Sequence, residues 1–120
     1  MSLVKWSEVQ EEQLTDLITR RYISGQNVTL ARFFMKKGCL VSAHSHENEQ
    51  FSTVIAGAAK FVIDGKETVL GAGETIQIAP FCVHWVEALE DCEMHDVFAP
   101  ARADWAEGRD AYLRSNGAKG

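Results

Sequence analysis

At 120 residues, with 46% hydrophobic and 24% charged residues, the chain has the size and composition of one globular domain. A net charge of -5 disfavours a nucleic-acid partner, and no apolar stretch is long enough to cross a membrane or to act as a secretory signal. The three cysteines are odd in number and lack C-x-x-C spacing, which gives no sign of a disulfide framework and predicts reduced thiols. We therefore expect a single cytoplasmic domain over residues 1–120, without nucleic-acid or membrane partners.

The first predicted element is helical. Ser7 and Gln10 have the spacing of a capping box, in which serine and glutamine side chains cap the first backbone amides of a helix. The pattern predicts a helical turn or two that ends near Leu14.

The middle of the chain is typical of short strands, because turn residues divide it into segments that alternate or are β-branched. Asp64-Gly65, between two such segments, has the residues of a type I′ hairpin turn, in which both central positions need positive φ. Strands are predicted over residues 27–35, 51–55, 60–63, 67–70, 75–78 and 93–98.

The last part of the chain has mixed signals. Residues 102–113 contain helix formers but also Gly108, which predicts a short, irregular helix packed on the strands. Residues 115–120 are expected to fray. Many short strands in a chain of this length form a sandwich or a barrel, and periodicity alone does not separate the two.

The strongest chemical signal is the segment His44-Ser45-His46. In an extended strand the two imidazoles would lie on one face, where they can share a metal ion. An isolated H-x-H motif, however, more often consists of two polar residues on a solvent-exposed strand face. Gly38 and Gly57 flank the pair, and His84 lies downstream. This arrangement resembles the two cupin motifs, which place three histidines and an acidic residue around one metal. The resemblance implies an all-β fold: a double-stranded β-helix (jelly-roll) barrel over about residues 17–100, with short helical segments at both ends.

Two positions depart from the cupin pattern. Gln50 replaces the usual glutamate, and Ala79 and Phe81 stand where proline and glycine are commoner. A glutamine carbonyl still offers an oxygen ligand but brings no negative charge, so a bound ion would act as a stronger Lewis acid. The predicted ligands of one divalent transition metal are His44, His46, Gln50 and His84.

The string from Asp96 to Arg102 is the second candidate for chemistry. Asp96 and Phe98 share a strand face, so a carboxylate able to act as general acid or base would have an apolar wall beside it. Arg102 lies just beyond the strand, where a guanidinium could hold a substrate carboxylate. The structural alternative is that Asp96 and Arg102 simply pair and fasten the C-terminal segment. His95 faces the other way and is expected to be a surface or sheet-packing residue.

From about Arg20 to Trp105 the chain resembles the KdgF-type pectin-degradation cupins. In that family histidines and a glutamine hold the metal, and residues matching Asp96, Phe98 and Arg102 line the substrate site. The implied reaction converts 4,5-unsaturated monouronates to linear keto forms. It needs no redox step, which favours nickel or zinc, although imidazole ligation does not exclude iron, manganese or copper. The family also implies a small carboxylate substrate and a homodimer formed through the outer sheet.

Two other functions share this fold. An iron-dependent dioxygenase would activate oxygen at open coordination positions, and oxygen uptake would reveal it. A non-catalytic sugar- or ligand-binding module would act as a sensor, and Asp96 would then be dispensable.

Overall fold

A computed structural model of the protein describes residues 2–115. This part of the chain contains ten strands, the α-helix α1 (Ala103–Ala106), and 3-10 helices at Trp6–Glu8 and Ala111–Leu113. None of its helices is long and apolar enough to span a membrane. The strands are β1 (Glu12–Thr15), β2 (Ile18–Ser24), β3 (Thr29–Met35), β4 (Leu40–His44), β5 (Glu49–Ala56), β6 (Ala58–Ile63), β7 (Lys66–Gly71), β8 (Thr75–Ile78), β9 (His84–Ala88) and β10 (Cys92–Ala99).

The strands form two antiparallel sheets. The six-stranded sheet has the order β1-β2-β3-β10-β5-β8, and the four-stranded sheet has the order β4-β9-β6-β7. Alternate side chains of each central strand point into the core between the sheets, as Met94, Asp96 and Phe98 do in β10. The predicted all-β barrel with short terminal helical segments is confirmed.

The hairpin between β6 and β7 is confirmed as well. Asp64 and Gly65 have φ values of 48° and 81°, as a type I′ turn requires. Phe81, at the position where the cupin motif usually has glycine, also has a positive φ of 65°. The left-handed conformation costs a non-glycine residue about 1–2 kcal/mol.

The prediction of a helix that ends near Leu14 is wrong. The chain forms only the 3-10 helix Trp6–Glu8, whose N-cap residue Lys5 makes no side-chain capping bond. Beyond it, β1 pairs with β2 and buries Leu14 in the core, so sheet pairing and burial override the local capping pattern. The three cysteines are free, as predicted.

The C-terminal segment, residues 103–115, packs on the barrel as two short helical pieces rather than one. Gly108, with a φ of 73°, separates them. Trp105 and Leu113 are buried in the core. The fraying predicted for residues 115–120 concerns mainly residues outside the described part of the chain.

One buried ion pair fastens this segment to the barrel. Arg20 of β2, 1% exposed, pairs with Asp110 at 3.0 Å and with Glu12 at 3.0 Å. Arg114 makes a second pair with Asp110, also at 3.0 Å. We call the contact between Arg20 and Asp110 the C-terminal latch.

Candidate functional site

Three histidines converge inside the barrel. His44, the last residue of β4, lies directly opposite His84, the first residue of β9. His46 lies beyond the end of β4, in the loop to β5, so the prediction that the first two histidines share a strand face is wrong in this detail. One ligand nitrogen from each of the three nevertheless lies within 4.8 Å of the others.

Backbone carbonyl oxygens orient all three imidazole rings. A carbonyl oxygen only accepts hydrogen bonds, so each Nδ1 carries the ring hydrogen and each Nε2 keeps a lone pair. This is the tautomer that a metal ligand needs. The Nδ1 atoms of His44, His46 and His84 bond the carbonyl oxygens of Ser42, Asn48 and Cys82, at 2.7, 3.0 and 2.9 Å respectively.

The chemistry of these donors fits a cation. Burial, assisted by neighbouring charges, lowers the pKa of His44 to about 3 and that of His46 to about 4, so both rings are neutral at pH 7. The buried Nε2 of His84 has no hydrogen-bond partner among residues 2–115. The Nε2 of His46 lies 3.0 Å from Oε1 of Gln50, and both atoms are acceptors in this tautomer. Lone pairs that face one another in this way are compatible with a divalent metal held between them.

Gln50 reaches the histidines from the opposite sheet. It lies on the inner face of β5, opposite Phe98 of β10. Its amide nitrogen donates to Oγ of Ser52 at 2.8 Å and to Oδ2 of Asp96 at 3.4 Å, which turns the carbonyl oxygen toward His46. Ser52, fully buried, is a site residue that the sequence prediction missed. The signal was its place two residues after Gln50 on a strand, which puts both on one face.

Asp96 stands beside Gln50 on the same inner wall. It lies opposite Ser52 in the pairing of β10 with β5, and its Oδ1 is buried without a hydrogen-bond partner among the described residues. Burial raises the pKa of Asp96 to about 7, although Ser52 and Arg102 pull it down. His95 points out of the barrel, as predicted. Its Nε2 lies 2.7 Å from Oε2 of Glu93.

Arg102 lies a short distance along the chain beyond the end of β10, and its side chain is buried. Its guanidinium lies over the rings of Phe98 and Trp105, with its central carbon 4.6 and 4.5 Å from their centroids. It pairs with Asp104 through two bonds, from Nε to Oδ1 at 2.9 Å and from Nη2 to Oδ2 at 2.7 Å. Within residues 2–115, the ion pair of Arg102 is therefore with Asp104 and not with Asp96.

Tyr112 closes the barrel above the histidines. Its ring stacks on His44, with centroids 4.0 Å apart and an interplanar angle of 21°, and its hydroxyl accepts from Trp105 at 2.9 Å and from Arg102. The space left inside the barrel is about 40 Å³. A second cleft of about 200 Å³ lies between His46 and Asp104. No local sequence signal points to Tyr112, because its position depends on the path of the C-terminal segment.

A larger groove lies elsewhere. It measures about 770 Å³ and opens at the other end of the barrel, where Ile18, Met35 and Cys92 meet. It contains no histidine. The convergent donors, rather than the volume of a groove, define the candidate site.

Residues 31–98 match the family model of the cupin domain. The chain is a cupin. Among curated proteins it is similar to the pectin degradation protein KdgF of Dickeya dadantii, with 30% identity over 101 residues. The alignment covers 82% of this cupin and 92% of the relative.

Solved structures show the same fold. KdgF from Halomonas sp. superposes with a TM-score of 0.81 at 23% identity, over 88% of this cupin and 98% of that chain. An RmlC-like cupin from Shewanella frigidimarina gives a TM-score of 0.82 at 23% identity, over 88% and 96%. An oxalate decarboxylase of Bacillus subtilis gives 0.72 at 20% identity, but the match covers only 29% of that longer chain.

Proposed function

We propose that this cupin is a metal-dependent enzyme that converts 4,5-unsaturated uronates to their linear keto forms. The observation that carries the proposal is the meeting of three oriented histidines and Gln50 with a buried carboxylate, Asp96, on the inner wall of the barrel. The similarity to a pectin degradation protein supports a uronate as the substrate class.

His44, His46, His84 and Gln50 would hold the metal. A divalent ion held there would supply a Lewis acid that polarises a substrate oxygen. All four ligands are neutral, and the reaction changes no oxidation state, which suits nickel or zinc.

The proposed reaction is an isomerisation and balances without a co-reactant. A proton leaves the anomeric hydroxyl, the bond between the anomeric carbon and the ring oxygen breaks, and a proton reaches the alkene carbon, so that the enol becomes a ketone. Asp96 accepts the first proton and delivers the second. Its Oδ1 has no partner among the described residues and faces the interior, which leaves a lone pair for the substrate.

Arg102 binds the substrate carboxylate, and Phe98 forms the apolar wall beside it. In the closed barrel the guanidinium is already paired with Asp104, and an interior space of about 40 Å³ is far below the roughly 300 Å³ of a small-molecule pocket. Substrate binding therefore requires the C-terminal segment to shift. The substrate carboxylate then takes the place of Asp104 on Arg102.

The direct test follows the alkene absorbance of an unsaturated uronate. The metal-free protein, and the protein loaded separately with nickel, zinc, iron, manganese or copper, are incubated with the substrate, and bound metal is assayed in parallel. We expect loss of absorbance that scales with nickel or zinc occupancy and proceeds without oxygen uptake. Full metal occupancy without any loss of absorbance would contradict the proposed reaction, and oxygen uptake with iron would favour a dioxygenase.

The outer face of the six-stranded sheet supports the proposed homodimer. Val97 lies between Leu30 and Phe51 in the strand pairing, and all three side chains are exposed. An exposed apolar patch on the central strands of a sheet is typical of an interface, and a second copy of the chain would cover this patch. We expect Phe51→Glu to shift the protein from dimer to monomer in sedimentation analysis. Val69→Glu, an exposed valine on the other sheet, is the matched control.

The cytoplasmic location and the lack of nucleic-acid and membrane partners remain predictions from the sequence. Cell fractionation with immunodetection tests the location.

A further inference from the structure

We propose that Ser52 is a positioning residue of the metal centre. It fixes the amide of Gln50 so that the carbonyl oxygen faces the histidines and the nitrogen faces Asp96. The inference rests on the metal site of the proposed function, but not on the reaction.

The strand register brings the three side chains together. Ser52 lies opposite Asp96 in the pairing of β5 with β10, and Gln50, two residues before Ser52, lies on the same face of β5. Ser52 is fully buried, and Gln50 and Asp96 are each 5% exposed. Because bulk water has so little access to these groups, the protein itself must satisfy their polar atoms.

The amide of Gln50 could point in either of two ways, and its neighbours select one. Its Nε2 donates to Oγ of Ser52 at 2.8 Å, while Asp96 contributes only a longer contact at 3.4 Å. In the reversed orientation the carbonyl oxygen would face the Asp96 carboxyl, and amide hydrogens would face the metal site. When the Ser52 hydroxyl directs its own hydrogen to Asp96, it can only accept from Gln50, so its removal would take away the shorter of the two bonds that hold the observed orientation.

A hydroxyl suits the position because it can accept and donate at once. Oγ of Ser52 accepts from Gln50 and can donate its own hydrogen to Asp96, with which it also interacts. Ser52 thus bonds the candidate ligand Gln50 and lies opposite the candidate proton carrier Asp96 in the strand pairing. Alanine at this position would remove the hydroxyl without adding bulk.

The test measures metal binding by Ser52→Ala. Zinc affinity is determined by competition with a chelator, and the visible absorption of the cobalt-loaded protein reports the ligand set. We expect zinc affinity to fall by about tenfold to a hundredfold, as is typical of lost outer-shell contacts, and the cobalt spectrum to change. The matched control is Thr53→Val, which removes an outward hydroxyl from the same strand, where Thr53 bonds Thr75 at 2.7 Å. It should leave both measurements unchanged.

A double-mutant cycle separates positioning from general stability. If Ser52 acts through Gln50, Ser52→Ala should cause no further loss of zinc affinity in a Gln50→Ala background. Additive losses would overturn the inference, and so would wild-type zinc affinity and cobalt spectrum in Ser52→Ala. His84→Ala distinguishes the two proposals. Wild-type metal binding by His84→Ala would overturn the metal site itself. If His84→Ala loses metal while Ser52→Ala binds it like the wild type, only the role of Ser52 is overturned.

Discussion

Asp104 forms a bidentate pair with Nε and Nη2 of the Arg102 guanidinium, at 2.9 and 2.7 Å. This is the geometry in which an arginine binds a carboxylate ligand. Asp104 lies two residues along the chain from Arg102, and Nη2 of Arg102 also donates to the hydroxyl of Tyr112, whose ring covers His44. The C-terminal segment therefore offers its own carboxylate to the residue proposed to bind the substrate.

The first prediction is that Asp104→Asn tightens substrate binding. Loss of the internal competitor should lower KM about two- to fivefold, the change that an ion pair worth up to about 1 kcal/mol allows. Steady-state kinetics on the metal-loaded protein checks it, with Glu107→Gln, which loses an exposed pair in the same segment, as control. A rise in KM would mean that Asp104 holds Arg102 in place instead of competing for it.

Metal content distinguishes His84 from His95. We expect His84→Ala to lose most bound metal and to keep its fold, because a barrel of this many strands does not depend on one ion for its core. His95→Ala, on the outer face, should bind metal like the wild type. Elemental analysis after dialysis decides, and the reverse pattern would show that the ligands have been assigned wrongly.

Gln50→Glu should separate binding from rate. The added charge should keep or tighten zinc binding but lower turnover by weakening the Lewis acidity of the ion. It also places a carboxylate where the amide nitrogen now donates to Asp96 at 3.4 Å, so like charges would meet. Adding Asp96→Asn restores a donor opposite an acceptor and should recover the thermal stability lost by the single variant. Unchanged turnover with unchanged affinity would mean that Gln50 is not a ligand.

Asp96→Asn tests the proton transfer. The variant keeps the shape of the side chain but cannot accept a proton, so turnover should fall about a hundredfold or more while metal content stays intact. Arg102→Ala should instead act mainly on KM. Thermal melts run beside the kinetics are the control: activity that falls only in proportion to the unfolded fraction would reduce both residues to structural roles.

Acid should weaken the C-terminal latch. Burial alone would raise the pKa of Asp110, but hydrogen bonds from Arg114 and Arg20 outweigh it and hold this pKa below the ordinary value. A depressed folded-state pKa stabilises the fold above the unfolded-state pKa of about 3.9, and this stabilisation is lost as the pH falls through the folded-state value.

Asp110→Asn should therefore destabilise the metal-free protein by about 2 kcal/mol at pH 7 and by less below pH 4. Denaturant unfolding at several pH values measures the difference from the wild type. Asp16→Asn, at an exposed aspartate, should show no such difference. A gap between Asp110→Asn and the wild type that does not narrow in acid would contradict the assignment.

Local signals account for much of the fold and of the candidate site. Asp64-Gly65 specifies its turn through the φ values that its two central positions need, and the spacing of His44, His46 and His84 predicts that these side chains lie close together, as they do. Alternation along β10 correctly set Asp96 inward and His95 outward. Each of these features depends on residues close in sequence or on a strict strand period.

The features that sequence could not supply depend on tertiary contacts. The inner face of β2 carries Arg20. An arginine is expected at the surface from sequence alone, and this one is buried because it pairs with Asp110 and Glu12. The capping pattern at Ser7 does not produce the predicted helix, because β1 pairs with β2 and buries Leu14 in the core. Tyr112 meets Arg102 and His44 only once the chain turns back over the barrel mouth, a path that no local pattern encodes.

The site is divided between two kinds of structure. Gln50, Ser52 and Asp96 lie on β5 and β10, strands that have neighbours on both sides, whereas Asp104 and Tyr112 lie on a segment outside the sheets. Apart from Tyr112, which stacks on His44, and the buried Trp105 and Leu113, substitutions in residues 103–115 can therefore change which molecules the barrel admits while the strands that carry the proposed metal ligands stay in place. For directed evolution this segment is the place to seek new substrates, and the paired inner strands are the part to leave untouched.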